Sequence, residues 1–258
     1  MNFMINNKFD GFKKSNFDDQ VESRIASHIS KHNISSLDVL KHFPVLIRRQ
    51  WLKRFLAHIE LFQKTLSVPG DIAELGVFRG LGLMTWANLL EAYCIGNRTK
   101  TVYGFDNWMG FTKFDVQDGE PNETAHKTLG GFNPSSFFQE LSDAIGIYDS
   151  DRFVPSKARV KLIDGQIENT IEKFIDVNPG VRFSLIHFDC DLYAPTHVAL
   201  EIMWPLLSRG GVILFDEYGI HDWPGETKAV DEFLLDKADL KLQTFTWTNS
   251  PAAFLIKP

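Results

Sequence analysis

Hydrophobic positions in this chain follow one period before residue 68 and another after it. Over LDVLKHFPVLIRRQWLKRFLAHIELFQKTL, apolar residues recur at three- and four-residue spacings, with Leu52, Leu56, Ile59 and Phe62 on one stripe. That is the amphipathic helical period. Residues 18–66 therefore read as helices, and residues 1–66 as an N-terminal helical extension that serves as a cap, a lid or a subunit face. Residues 1–20 are polar and irregular in pattern, with Phe3, Phe9, Phe12 and Phe17 as their only anchors to a core.

From residue 67 to 258 short apolar runs alternate with helical segments. DIAELGV, TVYGFD, VKLIDG, FSLIHFDC and GGVILFDEY read as strands, and residues 80–93, 135–145, 168–175, 194–207 and 225–236 as the helices between and after them. Such alternation predicts an α/β domain built on a mostly parallel sheet with helices on both faces. KLQTFTWTN and PAAFLIKP close the chain as two strands with no helix between them. They predict a hairpin that sets one antiparallel strand in the sheet. Residues 107–134 are too long for an ordinary strand-to-helix connection and read as a lid.

Composition narrows the class. The chain has 258 residues, 44% of them hydrophobic, and a formal net charge of −6. The size suits one large core, and no basic footprint for nucleic acid is present. Cys94 and Cys190 are the only cysteines, too few for a disulfide framework or a structural zinc site. A reducing cytoplasm is the default. MNFMINNKFDGFKK lacks the apolar core of a secretory signal, and no apolar run reaches the roughly 18 residues of a membrane span.

Candidate chemistry gathers where strands end. ELGVFRGLG joins the first strand to its helix, and Gly76, Gly80 and Gly82 allow close approach of a ligand. Its spacing is not the dinucleotide G-x-G-x-x-G, which counts against a nicotinamide oxidoreductase. Glu74 suits a cationic ligand better than a pyrophosphate. Asp106 ends the second strand, where an acid accepts hydrogen bonds from a ribose diol; it equally reads as a helix cap. Asp164, Gly165 and Gln166 end the third strand, as a turn or as an adenine edge. HFDCDLYAPT and LFDEYG end the fourth and fifth strands in Asp189, Asp191, Asp216 and Glu217. In a doubly wound sheet these ends share the ligand side. Converging carboxylates stay ionised when a cation sits among them, and oxygen ligands favour Mg²⁺ or Ca²⁺. Asp191 reads as the cap of the next helix. His187, inside an apolar strand, reads as a core residue. His221 and His126 are candidates for substrate contact, and Trp108, Phe111 and Trp223 for the wall of a sugar or aromatic site.

Taken in order, GDIAELGVFRG, VYGFDNWMGF, LIDGQIENTI, LIHFDCDLYAPTHVALEIMWPLLSRGGVILFDEY and WPGETKAVDEF resemble the macrocin O-methyltransferase family over residues 50–258. These are class I S-adenosylmethionine-dependent enzymes that methylate sugar hydroxyls, and the sequence is most similar to dTDP-6-deoxy-hexose 3-O-methyltransferases. The resemblance implies a Rossmann-like methyltransferase domain over residues 67–258, with a seven-stranded sheet whose last strand is antiparallel. It implies that Glu74, Gly76, Val77 and Phe78 meet the methionine end of the cofactor and Asp106 its ribose. Asp164, Gly165 and Gln166 would line the adenine. Asp189, Asp216 and Glu217 would hold Mg²⁺, with Asp189 also beside the cofactor and acting as general base. His221, from its own place at the rim after the fifth strand, is a further candidate for the catalytic centre. The family usually carries Asp-Asp where this chain has Asp216-Glu217. The implied reaction is methyl transfer to a hydroxyl of a free, nucleotide-linked or glycosidic deoxysugar, in a cytoplasmic homo-oligomer without nucleic-acid or membrane partners. A catechol or other vicinal diol is the alternative acceptor, and a non-catalytic binding module the alternative class.

Overall fold

The computed structural model describes residues 16–258. The anchoring expected of Phe3, Phe9 and Phe12, and of the Phe17 side chain, lies outside the described residues. Within the stretch expected to be irregular, the first helix already begins: α1 spans Asn16–Lys31. It is followed by α2 (Ser36–Lys41), capped by the Ser35 hydroxyl, and by α3 (Arg49–Lys64).

The stripe that α3 buries is not the one its leucines predict. Ala57, His58, Leu61 and Phe62 are buried, whereas Leu56 is 46% exposed. Arg54, Ala57, His58 and Leu61 follow the i, i+3, i+4, i+7 helical spacing. The helix has turned a partly polar face inward because acidic partners wait for it there.

The domain itself follows the expected alternation. β1 (Asp71–Leu75), α4 (Leu81–Tyr93), β2 (Val102–Asp106), α5 (Phe138–Asp151), β3 (Val160–Asp164) and α6 (Ile167–Val177) form the first half. β4 (Phe183–Phe188), α7 (Tyr193–Met203), β5 (Leu207–Phe215), α8 (Pro224–Leu234) and β6 (Ala253–Ile256) form the second. The strand order is β3-β2-β1-β4-β5-β6, parallel except for β6 against β5. This is the Rossmann-like class I methyltransferase arrangement. The sheet of described residues has six strands rather than seven. The segment read as a further strand, residues 241–249, pairs its backbone with β6 only at the isolated bridge Gln243–Phe254. Pro205 shortens α7, which ends at Met203 and passes through a 3₁₀ turn at Trp204–Leu206. Proline cannot donate to the helical ladder.

Alternate residues of each strand feed two cores. Ala73, Leu75, Phe105 and Phe188 pack on one face with Ile171 and Phe174 of α6, Leu200 of α7 and Phe233 of α8. Ile72, Leu185 and Leu214 pack on the other with Leu61 of α3 and Trp86 and Leu90 of α4. Registers are level at the carboxyl edge: Leu75 pairs with Phe105 and Phe188, and Phe188 with Phe215. The residues that follow, Gly76, Asp106, Asp189 and Asp216, therefore emerge along one rim.

Gly76 shows how closely that rim is built. Its φ is +87°, and a Cβ there would overlap the carbonyl of Asp189. Gly76→Ala is expected to destabilise the domain by roughly 1–3 kcal/mol, the cost of an overpacked or strained site. Thermal unfolding followed by circular dichroism checks it, and an unchanged Tm would show that the rim tolerates a methyl group.

Candidate active site

A cavity of about 920 Å³ opens at this carboxyl edge. The glycine loop after β1 forms one end, and Gly76, Val77 and Phe78 line it. Asp106, at the end of β2, lines the cavity and braces this loop. Its Oδ2 accepts from the N–H groups of Val77 and Phe78 at 2.9 Å each, and its Oδ1 accepts from Trp108 N at 2.8 Å. Gly165 and Gln166 also line the cavity, and Gln166 donates to the Thr112 hydroxyl at 2.9 Å. Asp164 is exposed and is not among the lining residues.

At the other end stand the acids. Ligand atoms of Asp189, Asp216 and Glu217 all lie within 4.8 Å of one another. They come together because β4 and β5 are adjacent and parallel, and each chain leaves its strand at the same level. Arg54 of α3 reaches in as their counter-charge: its Nη2 is 2.5 Å from Asp189 Oδ2 and 2.8 Å from Asp216 Oδ2. One cation does not neutralise the group. Partial burial and the neighbouring Asp216 raise the pKa of Asp189. Burial, Asp191 and Glu226 push Glu217 well above the ordinary carboxylate range, and its Oε2 is buried without a hydrogen-bond partner. Glu226 of α8 is wholly buried, accepts from Glu217 N at 2.8 Å, and is also raised, chiefly by burial.

Behind the acids a second layer fixes their geometry. His187 of β4 is 0% exposed; its Nδ1 is 3.0 Å from Glu74 Oε1 and its Nε2 is 3.1 Å from Asp216 Oδ1. Burial alone would lower its pKa, but the Asp216 and Glu74 carboxylates outweigh this and raise it to about 10. This favours the imidazolium form, in which both nitrogens donate to the flanking carboxylates. Trp86 Nε1 also points at Nδ1, at 3.3 Å. Asp216, held by Arg54 and His187 against the effect of burial, has a lowered pKa. His58 stacks on Trp86 at 4.4 Å between ring centroids, with neither nitrogen partnered. Burial, His187 and Arg54 keep it neutral.

Several predicted site residues sit elsewhere. Glu74 is 1% exposed, does not line the cavity, and points beneath Gly82, where a Cβ would overlap its Oε1. Its Oε2 has no partner, and burial raises its pKa to about 7. His221 extends fully into solvent on the rim, 3.8 Å from Asp222, and neither it nor His126 lines the cavity. Trp108 packs edge-on against Phe138 in the core, whereas Phe111 and Trp223 do wall the cavity. Those two belong to the lid's own small core with Leu192 and Ala125. Lys127 pins this lid, donating to the carbonyls of Asp118 and Asp222 and lying 5.6 Å from the Trp223 ring centroid.

Asp191 corrects its expected role. The N-cap of α7 is Leu192, and the side chain that caps its first N–H is Asp118, whose Oδ1 accepts from Tyr193 N at 2.7 Å. Asp191 instead lines the cavity in a left-handed conformation with φ +63°. Burial, Asp189 and Asp216 raise its pKa well above the ordinary value. A strained, non-glycine carboxylate facing a cavity is a functional signature. Arg54 carried no local signal beyond its place on the α3 stripe.

Comparison with known proteins agrees with this geometry. Mycinamicin III 3''-O-methyltransferase of Micromonospora griseorubida is 30% identical over 171 residues, which is 65% of this chain and 61% of that protein. The chain thus matches under two thirds of that relative's length. The 8-demethyl-8-(2,3-dimethoxy-alpha-L-rhamnosyl)-tetracenomycin-C 4'-O-methyltransferase of Streptomyces olivaceus is 27% identical, covering 70% of this chain and 72% of its own. The crystal structure of CalS11, a calicheamicin methyltransferase, superposes with a TM-score of 0.85 at 27% identity, covering 95% of this chain and 94% of that one. A family model described as macrocin O-methyltransferase matches residues 14–245, nearly the whole of the chain, and the protein belongs to that family.

Proposed function

We propose that the protein transfers the methyl group of S-adenosylmethionine to a hydroxyl of a deoxysugar, with Mg²⁺ held by Asp189, Asp216 and Glu217. The observation that carries this reading is the meeting of three carboxylates with a glycine loop in one cavity. The named activities of the mycinamicin enzyme and of CalS11, whose apo structure is described as a TDP-rhamnose 3'-O-methyltransferase, support a sugar acceptor.

The acids fit a hard divalent cation. Their ligand atoms are oxygens within 4.8 Å of one another, and Glu217 Oε2 is a buried acceptor without a donor. Glutamate in place of the usual second aspartate keeps an oxygen ligand at that point. A bound Mg²⁺ supplies Lewis-acid charge that lowers the pKa of an acceptor hydroxyl.

The chain's own residues do the rest. The loop of Gly76, Val77 and Phe78, braced by Asp106, receives the donor, with Asp106 facing its ribose and Gly165 and Gln166 its base. Glu74, buried beneath Gly82, acts through His187, whose Nδ1 it holds at 3.0 Å. Phe111 and Trp223 present apolar surface to a sugar ring and exclude water. Asp189, which lines the cavity at the end of β4, takes the hydroxyl proton. A sulfonium already carries its leaving group, so alignment of the acceptor oxygen is the larger part of the catalysis. We give His221 contact with the entering acceptor rather than proton transfer. Two free cysteines accord with a cytoplasmic setting, and the exposed Leu40, Val45 and Leu56 of the N-terminal extension accord with a homo-oligomer. No helix among the described residues is long and apolar enough to cross a membrane.

Transfer from labelled donor to a nucleotide-linked deoxyhexose and to a catechol tests the acceptor class. Turnover of the sugar alone is expected; turnover of the catechol alone would replace this reading with the diol alternative. EDTA is expected to suppress the rate by about 10²-fold or more, the scale of losing a metal's charge stabilisation, with Mg²⁺ restoring it. Indifference to chelation would remove the metal from the mechanism.

A further inference from the structure

The guanidinium of Arg54 occupies the place where a cation would be needed. It comes from α3, in the N-terminal extension, and meets carboxylates that lie at least 135 positions further along the chain. Its Nη2 alone contacts both Asp189 Oδ2 and Asp216 Oδ2. A structural arginine pair normally uses the planar fork, with two parallel bonds to one carboxylate. Here that fork is not used, and Arg54 Nε is buried without a partner. The side chain lines the cavity and keeps 24% of its surface exposed, so it has open space into which to swing.

The same two carboxylates belong to the oxygen cluster with Glu217. A Mg²⁺ ion sits roughly 2.1 Å from each oxygen ligand. An arginine nitrogen at 2.5 and 2.8 Å from these oxygens would then be within a few ångströms of a doubly charged ion. Two cations at that distance, in a partly desolvated site, repel strongly. Among the described residues, Arg54 is the one α3 side chain ion-paired with the cluster. His187, the remaining cation, lies on the far side of Asp216 between that residue and Glu74.

We propose that Arg54 is a resident counter-cation that competes with the divalent metal for Asp189 and Asp216, and that metal entry swings it out into the cavity. This rests on the reading of the three acids as a metal site. Arg54 offsets part of the charge of Asp189 and Asp216 when metal is absent, and it couples metal binding to the N-terminal extension. Reciprocity follows: whatever holds α3 in place weakens metal binding by the same factor that metal weakens the arginine contact.

Calorimetric titration of the full chain with MgCl₂, without substrate or turnover, tests it. Arg54→Gln removes the competing charge and is expected to tighten Mg²⁺ binding on the order of tenfold or more, the usual scale of such coupling. Arg54→Lys keeps a charge but is one bond shorter, and is expected to fall between Arg54→Gln and wild type. It also preserves neutralisation should the glutamine variant fail to fold, in which case tighter binding by the lysine variant alone supports the proposal. Folded variants that bind Mg²⁺ no more tightly than wild type would overturn the competition and leave the metal reading intact. Absence of Mg²⁺ uptake by all three proteins would overturn both.

Discussion

Asp189→Asn is expected to lower kcat by about 10³-fold, within the 10²–10⁴ range of a lost general base, while donor affinity changes by no more than a few-fold. The substitution is nearly isosteric, so the rim geometry set by Asp189's backbone against Gly76 persists. What disappears is the charge that the Arg54 guanidinium now faces and that we assign to the acceptor proton. Calorimetry with S-adenosylhomocysteine isolates donor binding from the chemical step, and rapid-quench transfer of labelled methyl measures that step directly. A rate within tenfold of wild type would end the assignment. Asp191→Asn under the same conditions separates the two acids of the β4 edge. A larger loss there, with Asp189→Asn still weakly active, would assign proton removal to Asp191 and leave Asp189 as a metal ligand. Both carboxylates line the cavity, so each is placed to reach an acceptor hydroxyl.

The strand-end acids were legible because a parallel sheet delivers every carboxyl end to one edge, and the registers observed here are level within a residue. No long-range information was needed to place Asp106, Asp189 and Asp216 beside the glycine loop. Glu74 was placed too far along. β1 continues through Leu75, so Glu74 shares a face with Ile72 and points toward α4 rather than over the rim. The α3 stripe misled for a related reason. Leucines at helical spacing signal a buried face only when nothing polar needs burial more, and Arg54 had carboxylate partners waiting just past β4 and β5, while the His58 ring packs on Trp86 and His187. Those partners are set by tertiary placement alone. The missing strand failed differently: residues 241–249 have strand composition, yet the pairing reduces to one bridge, because β propensity is realised only where a neighbouring edge accepts it.

His187→Leu is expected to cost about 3 kcal/mol, the lower end of the range for breaking a buried ion pair from one side. The imidazolium bridges two carboxylates, one of which has no other support. Glu74 is 1% exposed with Oε1 on His187 and Oε2 on nothing, while Asp216 retains Arg54 and the Ser250 hydroxyl at 3.0 Å. Leucine fills the space but strands Glu74. For a chain of this size the loss corresponds to roughly 6–12 °C in Tm, read by calorimetry below the pH at which the native imidazolium would deprotonate. The sign can be checked with a second substitution. Glu74→Gln in the His187→Leu background removes the most isolated carboxylate and should recover part of the loss, whereas Glu74→Gln alone should destabilise by depriving the imidazolium of a partner. Opposite signs in the two backgrounds are the signature of a shared charge. Additive losses would mean that His187 stabilises the sheet only by its shape, and that the order of the acids in front of it does not depend on its proton.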